Sequence, residues 1–157
     1  MAFDANRADL TIGVLGSGAM GRGIVQVAAA GGINVLMMDA KPGAAAEARD
    51  FIGKMLQRAA EKGSMSKEDA AAALARIKIV DALAAFKPCH AVIEAVVENL
   101  DVKRQVFGEL ENIVAADCIL ASNTSSLSVT TIAAKLKTPQ RFAGFHFFNP
   151  EIGRAHV

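Results

Sequence analysis

Gly16, Gly18 and Gly21, followed by an acid at Asp39, have the types and spacing that hold a dinucleotide. Gly16 permits a sharp turn out of a strand, Gly18 removes a side chain where backbone must approach a pyrophosphate, and Gly21 lets the next helix lie close to the strand. The residues between them, Ser17, Ala19 and Met20, include no lysine. The phosphates would therefore be met by free N–H groups at a helix N-terminus, which excludes a P-loop. A carboxylate at Asp39 suits a ribose diol and repels a 2′-phosphate, favouring NAD over NADP even with Lys41 nearby, while FAD can use the same fingerprint. A second group of residues comes late in the chain: His146, Asn149 and, in a polar loop, Ser125. An imidazole titrating near neutral pH suits proton transfer and also suits a buried structural donor; the polar neighbours tilt His146 towards chemistry.

These residues need a frame. Thr11 to Leu15, apolar or β-branched apart from Gly13, reads as a buried parallel strand. Met20, Ile24, Val27 and Ala28 recur at helical spacing until Gly31 and Gly32 end the helix, and Ile33 to Met38 forms a second strand that delivers Asp39. From Pro42 an amphipathic helix on Ala48, Phe51, Ile52, Met55, Leu56 and Ala59 runs to about Gly63. Its other face carries Arg49, Lys54, Arg58 and Lys62, a solvated face that could also meet a phosphorylated substrate. Ser66 with Asp69 forms a capping box for a short helix, and strands follow at Ile77 to Val80 and after His90, which reads as a strand-entry residue.

Val102, Val106, Leu110, Ile113 and Val114 mark a helix from about Leu100 to Ala115. Ile119 to Ser122 is the next strand, Ser128 caps a further helix, and a last strand from Arg141 to Phe147 bears His146 at its end. Alternating strands and helices predict an α/β fold: a doubly wound, mostly parallel sheet with helices on both faces. Ligands in such folds sit outside the carboxyl ends of the strands, and Asp39, Glu98, Ser125 and His146 all follow predicted strands on that rim.

At 157 residues, 52% hydrophobic and with a net charge of +1, the chain fits one soluble domain with a full core. Basic residues are interspersed with acids and Trp and Tyr are absent, which argues against nucleic acid as a partner. No signal peptide and no apolar run of membrane-spanning length is present, so the expected location is cytoplasmic. Cys89 and Cys118 lack a second pair or a His-rich neighbourhood, so they read as buried free thiols and no metal site is expected.

The glycine loop, the run Ile93 to Leu100, the run Ala121 to Leu127 and the run His146 to Pro150 together resemble the N-terminal, Rossmann-type domain of L-3-hydroxyacyl-CoA dehydrogenases, including bacterial 3-hydroxybutyryl-CoA enzymes. The resemblance covers about Leu10 to Pro150. It implies a reversible NAD-dependent oxidation of 3-hydroxyacyl-CoA to 3-ketoacyl-CoA, with His146 as general base and acid and Ser125 contacting cofactor and substrate. It places Asn149 beside the nicotinamide, Glu98 and Lys103 on the cofactor, and Lys62 on the phosphates of coenzyme A. In the residues alone, Lys103 also fits a solvated helix lysine and Glu98 a helix N-terminal acid.

The family continues past the histidine to a glutamate that orients the imidazole, then to a helical domain forming the other wall of the acyl-CoA cleft and a homodimer interface. Residues 151–157 do not resemble that continuation. The expectation is an NAD-binding domain at 1–150 with a non-family tail at 151–157, without the helical domain. Such a chain should bind cofactor with little turnover and expose apolar surface that promotes self-association. A related β-hydroxyacid or polyol dehydrogenase shares the glycine loop but is not expected to carry both late motifs. A non-catalytic nucleotide-sensing module is the alternative from another class.

Overall fold

Thr11–Leu15 forms β1, and its apolar residues suit a strand buried on both faces: it pairs in parallel with β2 (Asn34–Met38) on one side and β4 (Ala91–Glu94) on the other. The computed structural model describes residues 3–148 and 152–156. Beyond β2 lies β3 (Ile77–Ile79); beyond β4 lie β5 (Ile119–Ser122), β6 (Phe142–Phe148) and β7 (Ile152–His156), giving the order β3-β2-β1-β4-β5-β6-β7. The pairings from β3 to β6 are parallel, and β7 runs antiparallel to β6. The chain winds outwards from β1 to β3 and then returns to the other side of β1. The gap between β1 and β4 is therefore the switch point at which doubly wound sheets bind ligands.

Helices α1 (Ala19–Ala30), α2 (Ala44–Glu61) and α3 (Lys67–Ala75) pack Ile24, Val25, Ile52 and Leu56 against Val14, Val35 and Met37 on one face. On the other, α4 (Leu100–Ile113) and α5 (Val129–Ala133) pack Phe107, Leu110 and Ile132 against Leu15, Leu120 and Phe142. The Phe107 and Phe142 rings meet edge to face at 4.7 Å. The expected doubly wound sheet with helices on both faces is what the chain forms.

The departures from expectation are local. In α1 the core residue is Val25, and Val27 is 49% exposed. Pro42 stands outside α2, which begins after Gly43 in a left-handed conformation at φ 81°. Arg49, expected in solvent, donates to the carbonyls of Leu74 and Ile77 and ties α2 to the α3–β3 junction. In α4 the stripe is rotated so that Lys103, Phe107 and Leu110 are buried and Val102 is exposed. Residues 152–156, within the segment read as a non-family tail, extend the sheet as β7 along the open row of backbone donors and acceptors on β6. Phe3, Val27, Ile93, Ala121, Phe145 and Phe147 help line an open apolar groove of about 490 Å³ on the α1 face.

Candidate functional site

The glycine loop is built by backbone constraint. Gly16 has φ +101°, and a Cβ there would collide with the carbonyl oxygen of Ala95 beyond β4. A Cβ on Gly21 would strike the carbonyl oxygen of Gly16. These two glycines fold the turn, whereas Gly18, with φ −66°, faces open space in which an added Cβ meets nothing within 4 Å. Gly18 caps α1 without a side-chain hydrogen bond, and the first turn of the helix carries no acid. That leaves an uncompensated positive dipole end facing a cradle that a methyl group would begin to fill, which fits a pyrophosphate.

Asp39 leaves β2 and reaches back to this loop. Its Oδ2 accepts from the Ser17 N–H at 2.8 Å and the Ser17 hydroxyl at 2.6 Å, and its Oδ1 accepts from the Lys41 N–H at 2.8 Å. Burial alone would push the Asp39 carboxyl up, but the Ser17 and Lys41 hydrogen bonds and the Lys41 charge hold it below its ordinary value. The acid thus clamps the loop and keeps accepting capacity on Oδ1 for a ribose hydroxyl. Ser17, Gly18, Arg22, Asp39, Lys41 and Phe51 are among the walls of a cleft of about 620 Å³. Sequence reasoning missed Arg22, whose guanidinium lies 3.8 Å above the Phe51 ring; an arginine directly after the last glycine was the available signal.

Across the switch point the rim is built from side chains. Glu94, fully buried at the end of β4, accepts from the Ser122 hydroxyl at 2.6 Å, the Val96 N–H at 2.8 Å and the Lys103 ammonium at 2.6 Å. Lys103 is likewise fully buried, and its ammonium also lies 3.3 Å from Glu98. Its three-donor head lies between these two carboxylates beneath the rim. Glu98 is 36% exposed, and its Oε2 accepts from the hydroxyls of Thr124 and Ser126, each at 2.8 Å. Burial opposes ionisation of Glu98, yet those hydroxyls and the Lys103 charge hold its carboxyl below its ordinary value. Glu94, Ser122, Thr124 and Ser126 were not singled out from sequence, because a buried polar network shows no periodicity.

Ser125 is exposed between Thr124 and Ser126. His146 is half-buried and lies within β6, two residues before its end, in register with Arg154 of β7. Asn123, also unforeseen, donates through its N–H to the Glu94 carbonyl and accepts from the Phe147 N–H at 2.8 Å, fastening β5 to the backbone next to His146. Asn149 lies outside the described residues. Lys62 is exposed just past the C-terminal end of α2, an 18-residue helix, hence about 27 Å along from the helix start near Asp39. His90 accepts from the Thr11 N–H through Nδ1 at 3.0 Å, consistent with a strand-entry role. Cys89 and Cys118 are buried free thiols, pushed up by burial to about 12 and about 11. Among the described residues, no His, Cys, Asp and Glu cluster could hold a metal ion, and no helix is long and apolar enough to cross a membrane.

Residues 11–152 match the model of the family described as 3-hydroxyacyl-CoA dehydrogenase, NAD binding domain. A probable 3-hydroxybutyryl-CoA dehydrogenase of Bacillus subtilis is 43% identical over 137 residues, covering 87% of this chain and 48% of that protein. The fatty acid oxidation complex subunit alpha of Idiomarina loihiensis is 41% identical over 140 residues, covering 89% of this chain and 20% of that protein. The crystal structure of (S)-3-hydroxybutyryl-CoA dehydrogenase from Ralstonia eutropha superposes with a TM-score of 0.86 at 40% identity, covering 90% of this chain and 50% of that one. The chain therefore spans half or less of these relatives. The cofactor is NAD, and the chain belongs to the family of NAD-binding domains of 3-hydroxyacyl-CoA dehydrogenases.

Proposed function

We propose that this chain carries the cofactor half of an oxidoreductase that interconverts 3-hydroxyacyl-CoA and 3-ketoacyl-CoA. NAD, when bound, supplies the hydride acceptor. The imidazole of His146 takes the proton of the 3-hydroxyl as the hydrogen on C3 leaves with its electron pair, and returns that proton in the reverse direction. Ser125 hydrogen-bonds the reacting oxygen and the cofactor, Asn149 flanks them, and Asp39 holds the adenosine ribose. Lys62 meets the phosphates of coenzyme A, far from the reacting carbon. A homodimeric whole protein and a cytoplasmic location belong to the same proposal.

The observation that supports this reading is the adjacency of β5 and β6 in the parallel sheet, fastened by Asn123. It brings the Ser125 loop and His146 to one rim, with the glycine loop across the switch point. Calorimetric titration with NADH tests it: saturable binding, weakened about tenfold or more in Asp39→Ala and poor for NADPH, is expected from loss of a charge-assisted hydrogen bond. A folded chain that does not bind NADH would overturn the reading. Where NADH oxidation by acetoacetyl-CoA is measurable, His146→Gln should abolish it while leaving the NADH affinity within about twofold.

A further inference from the structure

We infer that Arg22, braced on the Phe51 ring, and Lys41 form a subsite for a phosphate on the 2′-oxygen of the adenosine ribose, which the charge of Asp39 keeps closed to NADPH. The inference rests on the proposed placement of that ribose at Asp39. Arg22 stands one helical turn after Gly18, its N–H bonded to the Gly18 carbonyl at 2.9 Å. Helical side chains lean towards the N-terminus, which directs Arg22 into the cleft it shares with Ser17, Asp39 and Lys41.

Arg22 is half-buried, and the Phe51 ring 3.8 Å from its guanidinium holds the cation without supplying an acceptor. Among the described residues Arg22 makes no ion pair and no side-chain hydrogen bond, so the fork of N–H donors that matches a phosphate is unspent. Lys41 starts where Asp39 ends: its N–H donates to Asp39 Oδ1 at 2.8 Å, and its charge helps to keep that carboxyl ionised. Ribose hydroxyls call for an acceptor such as Asp39 and give two cations nothing to pair with, whereas a 2′-phosphate beside the same ribose does. Glu47 and Asp50 also wall the cleft, but both are exposed and neither pairs with Arg22 or Lys41. Asp39 is the half-buried acid on the ribose itself, so its charge is the one that opposes the phosphate. Phe51 acts through Arg22, as a positioning residue.

Parallel titrations with NADH and NADPH test this. Asp39→Asn keeps the side chain's shape and one accepting oxygen for the glycine loop while removing its charge. Its NADPH affinity should exceed that of the intact chain by about tenfold or more, the factor carried by a charged contact, while its NADH affinity falls. Adding Arg22→Gln or Lys41→Gln should remove most of that gain and leave NADH affinity within about twofold of Asp39→Asn. Lys54→Gln, an equal loss of charge from the same cleft, should leave the gain in place. Phe51→Ala should lower NADPH affinity several-fold when Arg22 is present and not when it is already glutamine, and Phe51→Tyr should restore it. In the otherwise intact chain, Arg22→Gln alone should weaken the residual NADPH binding and spare NADH, which decides the matter if Asp39→Asn does not fold. NADH binding by Asp39→Asn with no gain for NADPH overturns the inference. So does an Arg22→Gln effect equal for the two dinucleotides, since Arg22 would then meet a part they share, or a Lys54→Gln effect as large, since bulk charge would then suffice. Failure of the intact chain to bind NADH sinks the proposed function, and this inference with it.

Discussion

The two sides of the switch point solve the same problem by different means. On the β1–α1–β2 side the binding surface is main chain: two glycines that no side chain can replace, a helix N-terminus, and one carboxylate clamping the loop from β2. On the β4–α4–β5 side the rim is held by side chains, with a fully buried Lys103–Glu94 pair beneath an exposed serine. A pyrophosphate is large, symmetric in charge and common to many reactions, so backbone N–H groups suffice for it. Placing one hydroxyl beside a reacting carbon demands a fixed side chain, and fixing it takes hydrogen bonds from several elements.

If that contrast holds, the largest effect of any single added methyl belongs to Gly21→Ala. Its Cβ collides with the Gly16 carbonyl, so the turn must open or the helix must shift, at about 3 kcal/mol or more, and the cooperative thermal transition should be lost or shift far down. A Gly21→Ala chain with intact-chain stability would show that the loop is not backbone-constrained. Of comparable size is Lys103→Met, which leaves Glu94 buried without a counter-ion and should cost about 3 kcal/mol by denaturant titration. A loss below about 1 kcal/mol would mean that the side-chain half is loosely held.

Smaller, and sharper, is Gly18→Ala. Its backbone is compatible with alanine and its Cβ meets nothing, so the fold should be unchanged. The methyl projects where the pyrophosphate would approach, and NADH affinity should fall about tenfold or more. Equal binding by the Gly18→Ala and intact chains would remove the pyrophosphate from that cradle.

The contrast also explains what could be read without coordinates. The main-chain half was legible almost to the residue, because glycine spacing, strand runs and an acid at a fixed distance are linear patterns set by steric rules. Asp39 follows β2 as read, but its grip on Ser17 was not foreseen, since the hydrogen bond closes only when β2 lies beside β1. The side-chain half was legible as elements and not as a network. The apolar period in α4 suggested Val102 for the core, whereas Val102 is exposed and Lys103 is buried, because the Lys103 ammonium pairs with the buried Glu94 carboxylate on the neighbouring strand. Nothing local to Lys103 announces Glu94, nine residues earlier and on another element.

Acid titration should separate the halves at the smallest scale. Asp39 and Glu98 both have carboxyls held below their ordinary values of 3.8 and 4.5, so each contributes stability that is fully present above the ordinary value and is lost as pH falls through the lower, folded one. In an NMR titration the Ser17 amide should report a midpoint below 3.8, and the amides of 124–127 one below 4.5. The consequences should differ. Protonating Asp39 removes one clamp from a loop that Gly16 and Gly21 still shape, so α1 should keep its exchange protection through the transition. Protonating Glu98 weakens the acceptor of both Thr124 and Ser126 and reduces its attraction to Lys103, so protection across 123–127 should fall in the same pH interval. Loss of α1 protection with the Asp39 midpoint would place the glycine loop under side-chain control. A 123–127 loop indifferent to Glu98 protonation would place that loop under backbone control, and the division between the two sides would be wrong.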